Sequence, residues 1–324
     1  MQTNGQRPLM EAKNLKMYFN IKRKGKLHAV DNVSFEIYPG ETLGLVGESG
    51  CGKSTIGNVT MRLLKATGGE LLFEGEDVFQ AKGKESQAFR RKMQIIFQDP
   101  YSSLNPRKTV RKILREPYEV QHMGTSEQID QMVDKLCERV DIPPNLLDHY
   151  PHELDGGMRQ VVGIARALSL NPKLIVCDEP VSALDVSVQA QILNLLKDLQ
   201  EQYGVSYLFI AHGMAAVKHI SSRVGVMYLG KLVEVAPSDE IFERCMHPYT
   251  RALMSSIPIP DPFYEKKRIV LRGEVPNPID PPSGCKFHTR CERACERCKT
   301  EEPALREITL GHFAACHFAG EAAG

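Results

Sequence analysis

The 324-residue sequence lacks three features that mark specialised classes of protein. No apolar run approaches the roughly 18 residues of a transmembrane helix, and the first residues lack the basic-then-apolar pattern of a secretory signal. The net charge is only +1, from 41 basic and 40 acidic residues, which argues against wholesale electrostatic binding to nucleic acid or anionic lipid. We therefore expect a cytoplasmic protein without membrane spans of its own.

The composition is that of an ordinary folded protein. Hydrophobic residues make up 42% and charged residues 25% of the chain, which excludes disordered, collagen-like and coiled-coil classes. The length predicts one large domain or about two smaller ones.

The cysteines are unevenly placed. Five of the nine fall in the last 40 residues, at Cys285, Cys291, Cys295, Cys298 and Cys316. In a reducing compartment such a cluster indicates a metal site before a disulfide framework.

The first part of the chain predicts antiparallel strands followed by a strand, loop and helix. Apolar runs at 15–19 and 29–37 flank a basic loop at 22–26. The apolar segment 42–46 then leads into a glycine-rich turn and a helix that places Ile56, Val59 and Leu63 on one face.

The rest of the chain alternates helices with buried strands. A helical insertion is predicted over about 99–170, and the apolar strands 174–177 and 207–211 follow helices. This alternation predicts an α/β fold with a mostly parallel sheet covered on both faces. The segments 224–229 and 231–235 predict a hairpin at a sheet edge, and prolines that include Pro258, Pro260 and Pro262 mark an extended tail.

A phosphate-binding loop follows the strand 42–46. Its pattern, GxxxxGK[ST], lies between a strand and a helix, as the motif requires, in residues Gly47, Glu48, Ser49, Gly50, Cys51, Gly52, Lys53, Ser54 and Thr55. Glycines let backbone N–H groups surround a phosphate, and the helix N-terminus adds a favourable dipole. Lys53 is predicted to bridge phosphates and Ser54 to offer its hydroxyl to Mg²⁺.

An acidic pair ends the buried strand 174–177. Asp178 and Glu179 stand at its carboxyl end, which faces the ligand crevice in open α/β sheets. We predict that Asp178 supports Mg²⁺ and that Glu179 orients or deprotonates the attacking water.

From about residue 10 to 250 the chain resembles the nucleotide-binding subunits of ATP-binding cassette (ABC) transporters. Gln98, in Ile-Ile-Phe-Gln-Asp-Pro, matches the family's metal- and water-contacting glutamine, and His212 matches its γ-phosphate-contacting histidine. The segment Ser-Ala-Leu-Asp that ends at Asp185 matches the D-loop. The resemblance also implies an aromatic that stacks on adenine, with Phe19 slightly favoured over Tyr18.

The signature sequence departs from the family pattern. The usual Leu-Ser-Gly-Gly-Gln reads Leu-Asp-Gly-Gly-Met at 154–158, so Asp155 replaces serine ahead of Gly156 and Gly157. In this family two subunits pair head to tail, and the signature of one faces the ATP on the phosphate loop of the other. Two unit charges about 4 Å apart repel by about 4 kcal/mol at an effective dielectric of about 20. An ionised Asp155 is therefore expected to oppose closure unless it is protonated or displaced.

The resemblance and this departure together predict an asymmetric heterodimer. The site on this chain's own phosphate loop retains its expected catalytic residues, and the partner's loop would face Asp155. The alternative is that a small loop shift accommodates Asp155 at both sites.

The spacing of the C-terminal cysteines, C-x5-C-x6-C-x17-C, allows either zinc or a [4Fe-4S] cluster. Cys295 and the histidines His288, His312 and His317 are possible substitute ligands. The prolines and the segment 284–291 resemble the C-terminal extension of oligopeptide and dipeptide importer ATPases. That resemblance favours iron-sulfur over zinc and implies Cys285, Cys291, Cys298 and Cys316 as ligands.

The resemblance predicts a P-loop ABC cassette at 8–256, with a mixed central sheet, an antiparallel β subdomain and the helical subdomain at about 99–170. A C-terminal extension follows at 257–324. The implied partners are a second ABC ATPase, two membrane permeases and, indirectly, an extracytoplasmic binding protein, at the cytoplasmic face of the membrane. The alternatives are a nickel or glutathione importer, a soluble ABC ATPase without a transport role, and a metal-dependent sensor with a regulatory ATP site.

Overall fold

The computed structural model describes residues 7–257 and 269–321. The chain divides into two compact units, one comprising Met1–Phe79 and Phe209–Gly324 and the other Gln80–Leu208. Pro258, Pro260 and Pro262 of the predicted extended tail lie outside the described residues. The predicted domain boundaries at 256 and 257 stay a prediction.

The first unit begins with an antiparallel sheet. Its strand order is β2-β1-β4-β5, and Met10 on β1 pairs with Ile37 on β2 and Phe73 on β4. All three side chains are fully buried, which gives the sheet one apolar face. The elements of this segment are β1 (Met10–Ile21), β2 (Gly25–Ile37), β3 (Thr42–Val46), α1 (Lys53–Thr60), β4 (Gly68–Phe73) and β5 (Glu76–Asp77). The predicted antiparallel strands and the strand, loop and helix are confirmed.

One residue of this segment was predicted incorrectly. Ile56 and Val59 are buried, but α1 ends at Thr60 and the Leu63 side chain is 55% exposed. Arg62 has a left-handed backbone (φ 56°), which breaks the helical repeat before Leu63 can join the apolar face.

The second unit contains the predicted helical insertion and two parallel strands. Its elements are α2 (Gly83–Lys92), β6 (Met93–Ile96), α3 (Pro100–Ser103), α4 (Val110–Val120), α5 (Ser126–Arg139), α6 (Gly156–Leu168), β7 (Leu174–Asp178), α7 (Val186–Tyr203) and the first three residues of β8 (Ser206–Ile210). β6 pairs with β7 in parallel. Local sequence sets several ends, since Thr125 and Gln128 form a capping box on α5 and Gly204 ends α7 at φ 65°. β8 carries the chain back to the first unit.

The remainder of the first unit forms a mixed sheet. It adds α8 (Met214–Ile220), β9 (Arg223–Tyr228), β10 (Lys231–Pro237), α9 (Ser238–Arg244), α10 (Pro248–Ser255), α11 (Glu296–Thr300), β11 (Arg306–Thr309) and β12 (His312–Ala314). Within this unit the strand order is β11-β12-β10-β9-β3, with β3 parallel to β9 and the other pairs antiparallel. The predicted mixture of parallel and antiparallel pairing is thus confirmed.

The predicted hairpin exists, but its position at a sheet edge was wrong. β9 and β10 pair as expected, and the other side of β10 is covered by β12, with Glu234 opposite Ala314. β12 lies in the segment 257–324, for which the sequence predicted an extended tail and no strand was assigned. Its backbone satisfies donors and acceptors that an edge strand leaves unpaired.

Within residues 7–257 and 269–321, no helix has both the length and the apolar character needed to cross a bilayer.

Candidate active site

The phosphate loop, residues 47–55, joins β3 to α1 in the first unit. Gly47 and Gly52 have positive φ (152° and 107°), and a Cβ on them would lie 2.3 Å from the Met227 carbonyl oxygen and 2.0 Å from the Ala29 carbonyl oxygen. Backbone therefore packs against the loop too closely for any side chain at either position. Gly52 is also the N-cap of α1, so no capping side chain stands at this helix N-terminus.

Lys53 of the phosphate loop is buried, with 4% exposure. Its ammonium group donates to the carbonyl oxygens of Gly47 (2.7 Å) and Glu48 (3.1 Å). These neutral acceptors are weaker partners for an ammonium group than an anion is, so a phosphate oxygen can compete for the same protons.

His212 belongs to the same unit as the phosphate loop. The N–H of the preceding Ala211 donates to the Leu45 carbonyl oxygen in β3 (3.1 Å), two residues before Gly47. His212 is exposed at the end of β8, on the chain segment that runs beside β3.

The two candidate adenine-stacking aromatics differ in their surroundings. Tyr18 donates its hydroxyl to Asp31 (2.6 Å), and its ring stacks on His28 with centroids 4.4 Å apart. Burial, followed by the hydrogen bond to Asp31, raises the pKa of Tyr18 to about 12. Phe19, the next residue on β1, is half-buried and pairs with Leu27 through the backbone.

The acidic pair lies in the second unit. Asp178 ends β7 and Glu179 follows it, with exposures of 8% and 5%. Glu179 has a left-handed backbone (φ 50°), which costs about 1–3 kcal/mol for a non-glycine residue and is typical of functional positions. The Gln98 side-chain amide donates to the Glu179 carboxylate (2.8 Å). The fold thus joins two predicted catalytic residues that lie 81 positions apart in the chain.

The predicted D-loop follows this pair. The Ser182 hydroxyl donates to the Glu179 carbonyl oxygen (3.1 Å), which fixes the first turn after β7. Asp185 is the N-cap of α7 and accepts from the Val188 N–H (3.0 Å) and the Ser187 hydroxyl (2.9 Å). The Val188 N–H and then the Ser187 hydroxyl lower the pKa of Asp185, so its carboxylate is ionised near neutral pH.

The signature loop, residues 154–158, precedes α6 in the same unit. Asp155 is the N-cap of α6, and its carboxylate accepts from the Met158 N–H (2.7 Å). A Cβ on Gly157 would lie 2.8 Å from the Val188 side chain, and one on Gly156 would lie 3.4 Å from the Leu184 side chain. The two glycines therefore let the signature loop approach the D-loop and α7 closely.

The four predicted cysteine ligands all belong to the first unit. Burial, with smaller contributions from the thiols of Cys298, Cys316 and Cys291, raises the pKa of Cys285 to about 11 against the opposing effect of the Phe287 N–H. Among residues 7–257 and 269–321, however, no group of three or more His, Cys, Asp or Glu side chains is arranged so that it could hold a metal ion. The observed side-chain arrangement therefore gives no support to the predicted cluster site.

The three histidines considered as substitute ligands make other contacts. His312 is fully buried and its Nε2 lies 2.7 Å from the Glu234 carboxylate. His288 Nδ1 lies 2.9 Å from the Cys285 carbonyl oxygen, and His317 Nε2 lies 3.1 Å from the Glu301 carbonyl oxygen.

Sequence reasoning missed the residues that contact the side chain and N–H of Glu48 in the phosphate loop. The Glu48 carboxylate pairs with Arg290 of the C-terminal extension, and the Glu48 N–H donates to the Tyr249 hydroxyl. Arg290 lies inside the segment 284–291 that carried the family resemblance, but a contact across 242 positions leaves no signal in a single sequence.

Comparison with known proteins gives consistent matches over the whole chain. The model for the ABC transporter family matches residues 30–182, and the model for the oligopeptide/dipeptide transporter C-terminal region matches residues 233–298. YkfD of Bacillus subtilis is 54% identical over 96% of this chain and 95% of its own. The oligopeptide transport ATP-binding protein AppF of the same organism is 48% identical over 98% of this chain and 99% of its own. The ATP-binding cassette MJ0796, solved as a dimer bound to ADP and phosphate, matches 71% of this chain and 98% of its own at 27% identity, with a TM-score of 0.64.

Proposed function

Since the chain belongs to the family of ABC transporter ATP-binding proteins, we propose that its ATP hydrolysis powers the import of oligopeptides or dipeptides. It has the fold of an ABC cassette and is an ABC-type ATPase whose hydrolysis is coupled to transport. The cargo is supported by the match to the oligopeptide/dipeptide transporter C-terminal region. The direction of transport follows by analogy with relatives whose names include peptide import. AppF, which aligns over nearly the whole chain, carries oligopeptide transport in its name.

The observation that carries the catalytic part of the proposal is the contact between Gln98 and Glu179. A buried carboxylate that accepts a hydrogen bond from an amide is suited to orient water and to take its proton. We assign Glu179 as the base for water attack on the γ-phosphate, Gln98 as the residue that orients Glu179 and the water, and His212 as a γ-phosphate contact.

The phosphate loop supplies the binding part of the site. Its backbone N–H groups and Lys53 are proposed to surround the β- and γ-phosphates, and Phe19 to stack on adenine. The family resemblance implies that Ser54, Asp178 and Gln98 would hold Mg²⁺. A hydroxyl, a carboxylate and an amide oxygen are hard ligands of the kind that this ion prefers. The ion would neutralise phosphate charge when bound.

The proposed assembly contains this chain, a second ABC ATPase and two membrane permeases at the cytoplasmic face of the membrane. MJ0796, which matches this fold, was solved as a dimer. An extracytoplasmic binding protein would select the cargo, so the sequence of this chain does not discriminate peptides from nickel or glutathione. Uptake of a labelled dipeptide, ⁶³Ni²⁺ and labelled glutathione by proteoliposomes of the complete transporter separates these cargoes. A soluble ABC ATPase without a transport role predicts no uptake and no copurifying permease.

We further propose that the ATPase dimer is an asymmetric heterodimer. Asp155 caps its own helix, which places an anion at the helix end that is expected to face the partner's ATP. The D-loop Asp185 and the residues of this chain's own phosphate loop keep the family pattern. Hydrolysis is therefore expected at this chain's loop and impaired at the partner's loop.

The experiment that tests both statements is the ATPase rate of the complete transporter with Glu179→Gln in this chain only. A single-site mechanism predicts a loss of about 100-fold or more, since removal of a general base slows such a step by about 10²–10⁴-fold. Glu201→Gln, an exposed residue on α7, is the matched control and should leave the rate unchanged. If most of the activity survives Glu179→Gln, the partner's site works despite Asp155 and the asymmetry is refuted.

The C-terminal cysteines carry a separate proposal. We infer a [4Fe-4S] cluster on Cys285, Cys291, Cys298 and Cys316, with zinc as the alternative, on the grounds of the cysteine spacing and the match to the oligopeptide/dipeptide transporter C-terminal region. Iron, sulfide and zinc should be measured in full-length protein purified without oxygen. About four irons and four sulfides per chain, lost in Cys291→Ser and kept in Cys245→Ser, is the expected result. Stoichiometric zinc without iron would favour the alternative.

A further inference from the structure

Glu48 lies in the phosphate loop, and partners from three parts of the first unit contact it. Its carbonyl oxygen accepts from Lys53 within the loop itself (3.1 Å). Its N–H donates to the hydroxyl of Tyr249 on α10 (2.8 Å). Its carboxylate accepts two hydrogen bonds from the guanidinium of Arg290 in the C-terminal extension, at 2.7 and 3.2 Å. The Cys51 N–H also donates to the Glu48 carbonyl oxygen (3.3 Å), so every polar group of Glu48 is paired. Two of its partners, Tyr249 and Arg290, come from the last quarter of the chain.

The ion pair between Arg290 and Glu48 is largely removed from water. The side chains are 7% and 28% exposed, and the two hydrogen bonds use both terminal nitrogens of the guanidinium. The hydrogen bonds to Glu48 raise the pKa of Arg290, so the cation is permanent. Bidentate contacts of this kind fix the geometry as well as the charge of the carboxylate.

An aromatic cluster fixes Arg290 in place. Phe287, three residues earlier, is 2% exposed and packs on Tyr228 and Tyr249, with ring centroids 5.2 and 5.5 Å away. The Arg290 N–H donates to the Phe287 carbonyl oxygen (3.0 Å), which closes a short helical turn between the two residues. The Arg290 guanidinium also lies 6.0 Å from the centre of the Tyr228 ring. The same packed side chains thus orient both of these partners of Glu48, the donor Arg290 and the acceptor Tyr249.

The extension contains a second ion pair that provides a contrast. Arg297, on α11, donates two hydrogen bonds to Glu301, directly after α11, at 2.7 and 2.9 Å. Their side chains, however, are 59% and 56% exposed. Exposed pairs of this type contribute little because water screens them, whereas removing one partner of a buried pair leaves an uncompensated charge. Loss of Arg290 would therefore leave an uncompensated carboxylate inside the loop that receives phosphate.

We propose that Arg290 is a positioning residue for nucleotide binding, which anchors and neutralises Glu48 so that the phosphate loop accepts ATP. The inference rests on the proposed use of this loop for ATP. The C-terminal extension accordingly contributes directly to ATP affinity, in addition to any role of its cysteines. If Arg290 were only structural, it would make the same contact with Glu48. Its replacement would then change the affinity for ATP by the same factor whether or not Glu48 is charged.

The test is a double-mutant cycle on the full-length chain, with a fluorescent ATP analogue as the probe and its Kd as the readout. Arg290→Gln should raise Kd by about tenfold or more, equivalent to about 1.4 kcal/mol. In a Glu48→Gln background the same change should raise Kd by less than about threefold, since the carboxylate that Arg290 neutralises is gone. Arg290→Lys should fall between wild type and Arg290→Gln because it keeps the charge and loses the bidentate geometry.

Arg297→Gln is the matched control, an arginine of the same extension whose carboxylate partner is exposed, and should bind the analogue as wild type does. Equal losses in the wild-type and Glu48→Gln backgrounds would overturn the positioning role, as would an Arg290→Gln variant that binds normally. Thermal melting of each variant checks folding, and Arg290→Lys keeps the test open if Arg290→Gln fails to fold. Failure of the wild-type chain itself to bind the analogue would instead refute the proposed function.

Discussion

The phosphate loop and the signature loop both lead into the N-terminus of a helix, yet they treat that terminus in opposite ways. At α1 the N-cap is Gly52, with a left-handed backbone and no side chain, whereas at α6 it is Asp155, whose carboxylate accepts the Met158 N–H. A helix N-terminus binds anions through its unpaired N–H groups and its dipole. The first terminus thus has no capping side chain, whereas the second is capped by the carboxylate of its own Asp155.

The N-cap residue thus determines whether a helix N-terminus is capped by a side chain of its own chain. The two loops share glycines that permit close packing, against backbone at Gly47 and Gly52 and against side chains at Gly156 and Gly157. At the N-cap the two helices differ, since α1 has a glycine without a side chain and α6 has an aspartate that caps it. Four experiments test this contrast.

The largest effect is expected from Gly52→Ala in the phosphate loop. The new Cβ would meet the Ala29 carbonyl oxygen at 2.0 Å at a φ of 107°, so the loop must distort. We expect the Kd for an ATP analogue to rise about 100-fold or more, equivalent to about 2.7 kcal/mol. Gly204→Ala, which has positive φ but no atom within 4 Å of the new Cβ, is the matched control. A Gly52→Ala variant with near-normal affinity would show that the close approach is not needed.

The next effect concerns Asp155→Ser in the signature loop. Serine also caps a helix but removes the negative charge expected to face the partner's ATP. In a Glu179→Gln background that blocks hydrolysis, we expect ATP-dependent self-association of the full chain to strengthen by about tenfold or more, measured by sedimentation velocity. Asp148→Ser, whose parent side chain is 89% exposed in the same unit, serves as the control. Unchanged self-association would mean that a loop shift accommodates Asp155.

A smaller effect concerns the support of the phosphate loop by α10. His247 is buried, and its Nδ1 caps this helix by accepting from the N–H of Tyr249, the residue that contacts Glu48. Burial lowers the pKa of His247 to about 4, against an opposing effect of Glu234. The unfolded chain, with an ordinary value near 6.5, then binds a proton that the folded chain does not, so stability falls as pH drops from about 7 towards 4.

Between pH 7 and 5.5 this one group should lower the free energy of unfolding by about 1 kcal/mol. Urea unfolding of wild type and His247→Asn at both pH values measures the difference, because asparagine can cap the helix but does not titrate. His122→Asn, at an exposed position, is the control. An equal pH dependence in wild type and His247→Asn would contradict the assignment.

The smallest effect is expected on stability at the α6 cap itself. Aspartate and serine are similarly good N-caps, so Asp155→Ser should change the free energy of unfolding by less than about 0.5 kcal/mol, whereas Asp155→Ala should cost about 1 kcal/mol. The same pair of changes at Asp185, which caps α7 in the same way, gives an internal comparison. A large loss in Asp155→Ser alone would show that the carboxylate has a structural role beyond capping.

Much of the fold followed from local patterns. The strand predicted at 42–46 matches β3, and the hairpin 224–235 and the helical insertion were found where apolar periodicity placed them. Leu63 was misplaced because a left-handed residue ended α1 early, which periodicity does not reveal. The hairpin was misassigned to a sheet edge because β12, which covers it, is three residues long and pairs with residues about 80 positions earlier in the chain.

The candidate site likewise contains residues that local motifs predict and contacts between distant residues that they do not. The phosphate loop and the acidic pair were predictable because each motif needs its residues within a few positions of one another. Gln98 was predicted only through the family resemblance, and neither its contact with Glu179 nor the pairing of Arg290 with Glu48 was predicted.

Local sequence was enough to set the helices, the strands and the functional groups of each motif, because propensity, capping and glycine conformations act over a few residues. Asp155 stands directly before two glycines and a helix, so its capping of α6 depends only on residues next to it in the chain. Which side chains far apart in the sequence come into contact was visible only in the tertiary fold. Contacts between distant parts of the chain depend on how buried surfaces fit together. Local sequence therefore did not reveal that Arg290, Tyr249 and Phe287, from the last quarter of the chain, pack beside the phosphate loop.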